Sequence, residues 1–361
     1  MVLAIDVERT DHKRRLRTRF YLSSFAVSLI AAIVLATGYG AVAIAPQDMF
    51  SILATGFGWE TAATVDDTQR MVLLAIRLPR VCLGILTGAV LAAAGAALQG
   101  LFRNPLADPA LIGISTGAAL AAAAAIVLGG AVVVYLPAVL AAYLLPLAAF
   151  VGGLAATATV YRIASRDGRT EIATLLLAGI ALNAIAGAGI GLLIFLSDDQ
   201  QLRNLNFWLL GSLGGVTWVK LLPTMPVMAI PVLWLLTLSR QLNAFLLGET
   251  EALHLGFSVE RTKRLILVLV ALSVGAAVAL TGVIGFVGLV VPHMVRLAIG
   301  PDHRIVLRAS VLLGATLVLA ADLAARTIVA PAELSIGILT SCLGGPFFLW
   351  LLIRRRGGNM P

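Results

Sequence analysis

Residues 265–300 read LILVLVALSVGAAVALTGVIGFVGLVVPHMVRLAIG. A bilayer core is crossed by about 20 consecutive apolar residues, so this stretch is either one very long helix or two helices joined by a tight turn. TGVIG at 281–285 supplies two glycines for a turn. Charge decides between the two. With two spans, Arg296, Arg304, Arg308 and Arg354 to Arg356 fall on the same side as the basic run DHKRRLRTR at 11–19; with one span, they all fall on the other side. Loops rich in Lys and Arg stay in the cytoplasm, and this selects two spans.

Working outward, the rest of the chain has the same character. It has 361 residues, 60% of them apolar and 12% charged, with a mean hydropathy of +1.00. Soluble domains carry about 25% charged residues. Repeated apolar runs of this length define an all-α polytopic membrane protein, because in lipid each backbone polar group must be satisfied within its own segment. The expected spans are 20–45, 81–101, 110–136, 138–160, 172–196, 221–238, the two halves of 265–300, 305–325 and 334–353. A short interfacial helix is expected at 207–213, with Trp208 and Trp218 at headgroup depth. The chain then divides into a basic cytoplasmic tail (1–19), a ten-span domain (20–353) and a second cytoplasmic tail (354–361). In this topology 20 of the 26 Lys and Arg face the cytoplasm. Spans two to five start outside and spans seven to ten start inside, a pattern compatible with an inverted repeat.

The net charge of +8 is accounted for by loop arginines that orient the chain, so no nucleic-acid partner is expected; membrane lipid is the surrounding partner. Cys82 and Cys342 both lie in apolar spans and suggest neither disulfide nor metal site. The phosphate loop GxxxxGK[ST] and HExxH are missing from the sequence, no catalytic residue is assigned, and nucleotide energy must come from a partner. The carboxylate pairs Asp66–Asp67 and Asp198–Asp199 read as solvated loop charge, as does Glu60. Asp322 is the only acid well inside a span, near its outer end, a poor place for a coupling-ion site. His293 stands alone at a helix end, and no His or Cys pair has metal-ligand spacing.

One polar island stands out between spans six and seven. GETEALHLGFSVERTKR at 248–264 carries Glu249, Glu251, His254, Glu260, Arg261, Lys263 and Arg264. It is longer than a connecting loop needs, and a partner on the cytoplasmic side is expected to grip it. Gly248 and Gly256 are expected to break it into two short helices.

Several ordered stretches carry a family resemblance: IRLPR (76–80), GAALQGLFRNPLADPALIGISTGAA, TLLLAGIALN, FWLLGSLGGVTW, the polar island, TGVIGFVGLVVPHMVRLAIGPDHR and ADLAARTIVAPAELSIGILTSCLGGPFFLWLL. From 76 to 353 the chain resembles the permease subunits of ABC importers for vitamin B12, iron–siderophores and heme, the type II importers. The resemblance implies a homodimer in the bacterial inner membrane, both termini cytoplasmic, with two ATPase subunits that use ATP and Mg²⁺ and a periplasmic binding protein. It implies no cofactor bound by this chain. Gly248, Glu249, Glu251, Ala252, His254, Gly256 and Arg261 match the loop that couples to the ATPase. Arg77, Arg80 and Arg326 match positions that pair with glutamates of the binding protein. Asn104, Leu106, Ile172 and Ala173 match the cytoplasmic gate, where Ile172–Ala173 is more apolar than in some relatives. The local matches are most like heme-type members, with heme as the transported substrate and Arg203 as a contact for a propionate at the outer mouth. A ferric siderophore or corrinoid remains the alternative cargo. A secondary carrier and an intramembrane enzyme are the alternatives from other classes.

Overall fold

A computed structural model describes residues 2–40, 42, 44–56, 66–330 and 332–357, which are almost entirely helical. The helices in chain order are α1 (Val2–Gly38), α2 (Pro46–Gly56), α3 (Asp67–Met71), α4 (Leu78–Leu101), α5 (Ile114–Leu128), α6 (Gly130–Val133), α7 (Ala138–Ala164), α8 (Ile172–Leu196), α9 (Asp199–Leu210), α10 (Trp218–Thr237), α11 (Ser239–Leu247), α12 (Glu249–His254), α13 (Val259–Thr281), α14 (Val287–Ile299), α15 (His303–Thr327) and α16 (Ile336–Gly357). A π-helical stretch, Val72–Arg77, joins α3 to α4, and a two-stranded hairpin, β1 (Ser165–Arg166) with β2 (Arg169–Thr170), joins α7 to α8.

Seven of these helical segments are long and apolar enough to cross a bilayer, and three shorter apolar ones, Ile114–Leu128, Val287–Ile299 and Ile336–Trp350, complete ten spans. The 36-residue stretch is a hairpin of two helices. α13 ends where Gly282 adopts φ 69° and α14 begins after Phe286 at φ 66°; both lie in the left-handed region that halts a right-handed helix.

The middle of the bundle is α4, buried along nearly its whole length. Its composition explains this. Alanine and glycine on every face let other helices approach on all sides. Gly88 lies against the backbone of Gly314 on α15, and Gly95 against that of Gly288 on α14, so closely that a Cβ at either site would overlap main-chain atoms.

The packing also carries the repeat. α4 packs on α15, α14 and α13, while α13 packs on α7, α5 and α4. α5 packs on α7 and α8, as α14 does on α15 and α16; α7 meets α8, as α15 meets α16. Exchanging spans two to five with spans seven to ten maps this set of contacts onto itself. Each helix is five crossings from its image, so the two run in opposite directions, and the repeat is inverted.

Several expected boundaries move. α1 is one helix from Val2 to Gly38, so the basic tail continues the first span, which ends before Ala45. Helix runs from Asp67 to Leu101 rather than beginning at Val81, placing Arg77 and Arg80 inside it. The interfacial helix spans Asp199–Leu210, because Asp198 caps it with a capping box and Gly211, at φ 70°, ends it. Trp208 packs on the core and Trp218 Nε1 donates to Leu74 O, so these rings are tied into the protein. α16 extends to Gly357. Glu60, the last residues of the C-terminal tail (358–361) and the side chains of Arg354 to Arg356 lie outside the described residues.

Candidate functional site

The polar island forms one short helix, α12, followed directly by the long α13. This corrects the expected pair of short helices: after Gly256 the chain needs only Phe257 and Ser258 before it turns helical again. The glycines act as expected at the two ends of α12. Gly248 adopts φ 134° and Gly256 φ 86°, conformations that cost a side chain strain. Phe257 N donates to Ala252 O and Gly256 N to Leu253 O, closing the C-terminus. Ala252 is buried, whereas Glu251, Leu253, His254, Leu255 and Arg261 are exposed. The tip therefore shows charged groups and two large apolar side chains to the outside.

Lys263 organises the surroundings. It is buried, and its Nζ donates to Glu249 Oε2 (2.7 Å), Glu260 Oε1 (3.0 Å) and Thr170 O (3.0 Å). Glu260 Oε2 in turn accepts from Thr170 N (2.9 Å). One ammonium thus joins α12, α13 and the hairpin that leads into α8. A buried charge of this kind is tolerated only because its donors are satisfied.

Two hollows flank this junction. One of about 860 Å³ is lined by Arg103, Arg162, Arg166, Arg169 and Ile172 together with Glu249, Glu260 and Lys263. The other, about 570 Å³, is lined by Arg169, Glu249, Leu253, Ser258 and Arg261 among others. Ile172, expected at the gate, and Glu249, expected in the coupling loop, therefore line the same hollow. Ala173 is exposed beside it. Asn104 Oδ1 accepts from Leu106 N (2.9 Å), and Leu106 is exposed on the loop that follows α4. Arg203 is exposed on α9.

A second anchor ties α11, the helix before the island, to the bundle. Asn243 on α11 donates to Asp302 Oδ1 (2.7 Å), and its Oδ1 accepts from His303 N (2.8 Å) at the start of α15.

At the opposite end the expected docking arginines are turned inward. Arg77 is buried, with Nη1 donating to Thr37 O and Gly38 O (2.8 Å each) and Nη2 to Val42 O. Arg80 donates Nε to Asp322 Oδ1 (2.9 Å) and Nη1 and Nη2 to the two oxygens of Glu333 (3.0 and 2.9 Å). Arg326 Nε lies 3.2 Å from Asp322 Oδ2, and its Nη2 donates to Ala36 O. All three guanidiniums thus find internal acceptors that would compete with any partner. Asp322 is the acid that makes this end; its i, i+4 spacing to Arg326 was a readable sign of pairing.

An inverted repeat of ten spans, with a charged junction joining a short helix to the bundle, is the architecture of a membrane transport subunit. The chain belongs to the FecCD transport family, whose model matches residues 28–354, and it is a permease subunit of a type II ABC importer, in which ATP hydrolysis belongs to a separate partner. It is 48% identical over 298 residues to the hemin transport system permease protein HmuU of Yersinia pestis, covering 82% of this chain and 87% of that one. It is 43% identical to the cobalamin import system permease protein BtuC of Halobacterium salinarum, covering 80% and 75%. A solved structure described as an inward-facing conformation of a metal-chelate type ABC transporter matches with TM-score 0.79 at 31% identity, covering 92% of this chain and 98% of that one. These relatives and the apolar spans make it an inner-membrane protein.

Proposed function

We propose that this permease carries heme into the bacterial cytoplasm. Two copies enclose the path, two ATPase subunits grip the basic end, and a periplasmic binding protein delivers cargo at the other. Both termini then face the cytoplasm. The observation that carries the cargo is the 48% identity to a hemin permease. The arginine-lined hollow beside Ile172 favours the same reading: a flat apolar ring with two propionates leaves the membrane toward Arg103, Arg162, Arg166 and Arg169. Arg203 meets a propionate on entry. The gate is formed by Asn104, Leu106, Ile172 and Ala173.

The coupling element is α12 with its flanks: Gly248, Glu249, Glu251, Ala252, His254, Gly256 and Arg261. Its exposed Leu253 and Leu255 give a partner apolar area to bury, and Lys263 passes movement of α12 to the hairpin and α8. Arg77, Arg80 and Arg326 receive the binding protein only where a partner carboxylate displaces an internal acceptor. Cobalamin or a ferric siderophore is the second reading of the cargo, favoured by the 43% identity to a cobalamin permease.

The test is uptake into proteoliposomes holding the permease and its ATPase. Radiolabelled heme, cyanocobalamin and a ferric siderophore are each supplied with the cognate binding protein. ATP-dependent, vanadate-sensitive uptake of heme alone is expected. Uptake of cobalamin but not heme overturns the cargo; uptake that persists without ATP overturns the coupling.

A further inference from the structure

We propose that the seam between α7 and α13 binds an anionic phospholipid in the leaflet next to the basic end. A hollow of about 250 Å³ lies in this seam, lined by Leu154, Thr157 and Ala158 of α7 and by Leu267, Val268 and Leu272 of α13 among others. These positions recur at helical spacing, so they form one face of each helix. The lining is apolar in effect, because the Thr157 hydroxyl donates to Gly153 O (3.0 Å) within its own helix.

The mouth of the hollow is polar. Tyr161 and Arg264 close it, and Arg264 Nε donates to the Tyr161 hydroxyl (3.0 Å). Arg264 is exposed, and neither of its terminal nitrogens has a hydrogen-bond or ion-pair partner among the described residues. Its neighbours Glu260 and Lys263 are committed to each other. The guanidinium is therefore held in place by one nitrogen and offers the other two to a phosphate, in the forked geometry arginine uses for that group. Arg162, Arg166 and Arg169 at the same end add to the positive potential.

Dimensions fit one lipid leaflet. From Tyr161 to Leu154 the helix descends about 10 Å at 1.5 Å per residue, within the roughly 15 Å that one leaflet contributes to the hydrocarbon core. A headgroup phosphate at Arg264 thus places an acyl chain along the hollow. The molecule contains its own comparison. A second hollow of about 210 Å³, between α7, α10 and α13, is lined by Pro146, Leu147, Phe150, Val227, Ala276 and Leu280 among others. It has no cation, and Tyr143, which also lines it, donates its hydroxyl to Val219 O. That hollow suits any acyl chain, whereas the Arg264 hollow selects a charge.

The test uses the full-length protein in detergent, with palmitoyl-oleoyl phosphatidylglycerol, phosphatidylcholine with the same chains, and glycerol 3-phosphate added separately. Native mass spectrometry and thermal unfolding are the readouts. Phosphatidylglycerol is expected to be retained preferentially and to raise the unfolding temperature. Arg264→Ala should weaken its binding about five- to ten-fold, the worth of one charge-assisted phosphate contact near a membrane surface, and Arg264→Lys should restore part of it. Ala158→Trp, at an exposed lining position, should reduce lipid binding while leaving the cation in place. Equal retention of the two phospholipids by the native protein, or unchanged selectivity in Arg264→Ala, overturns the proposal; a seam sealed by a second copy of the chain gives that pattern. Glycerol 3-phosphate matching the phospholipid overturns it too, since the acyl hollow is then idle.

Discussion

Arg80 and Asp322 are 242 residues apart in sequence, and the Nε of one lies 2.9 Å from the Oδ1 of the other inside the bundle. Asp322 is fully buried and also receives Arg326. One carboxylate thus holds two guanidiniums, and α4 and α15 are joined at the end of their long contact. Removing Asp322 leaves both cations without it. Asp322→Ala should therefore destabilise the protein by about 3–5 kcal/mol, the usual cost of breaking a buried pair from one side. Thermal unfolding in detergent measures this, and a Tm like that of the native protein would contradict the account. A triple change, Arg80→Met and Arg326→Met with Asp322→Leu, should recover much of the loss, because replacing the whole cluster leaves neither guanidinium without its carboxylate.

Glu333 occupies the outer fork of the same arginine, and its side chain is 47% exposed. An exposed pair contributes about 0–1 kcal/mol, so Glu333→Gln should scarcely move Tm. On the reading that Arg80 receives the binding protein, this change frees the fork and should strengthen docking several-fold at low salt, with the gain fading as salt is added. Association of binding protein with permease in nanodiscs gives the answer. Docking unaltered at low salt would remove Arg80 from the docking surface.

Lys263 has three acceptors from three different segments. Lys263→Met keeps most of the apolar stem of the side chain and removes every one of these bonds. ATP-driven uptake in proteoliposomes is expected to fall at least ten-fold while the ATPase subunits stay bound, which co-purification checks. Glu249→Lys sets two cations against each other and should do the same. Full uptake in both variants would show that α12 moves α8 by another route.

Gly95 lies against the backbone of Gly288 and has no room for a methyl group. Gly95→Ala must push α14 from α4, an overpacking cost of about 1–3 kcal/mol or more. The control is Gly187→Ala on α8, where nothing lies within 4 Å. Monodispersity on gel filtration and Tm should fall for the first and hold for the second.

Much of the fold can be read from the chain because a bilayer imposes few choices. Length and hydropathy give ten spans, and the glycines at 248, 256 and 282 stand where helices end. Boundaries were less legible. IRLPR looked like the edge of a span, yet helix continues through it: Pro79 sits in the first turn of α4, where it is tolerated, and backbone carbonyls accept the hydrogen bonds of Arg77. The candidate site was legible as a polar island and as matching motifs, which place Glu249 and Ile172 without joining them. Lys263, which joins them, looked like one more loop cation.

Sequence by itself determined the class of molecule: an all-helical membrane protein with no phosphate loop of its own and one charged island for a partner. Tertiary structure alone decided which charges are spent inside the molecule and which remain to be offered. Arg77, Arg80 and Arg326 are committed to internal acceptors, whereas Arg264 keeps two nitrogens open. Composition is the same in both cases. The difference lies in whether folding brings an oxygen within about 3 Å, and a hydrogen bond at that range depends on neighbours distant in the chain.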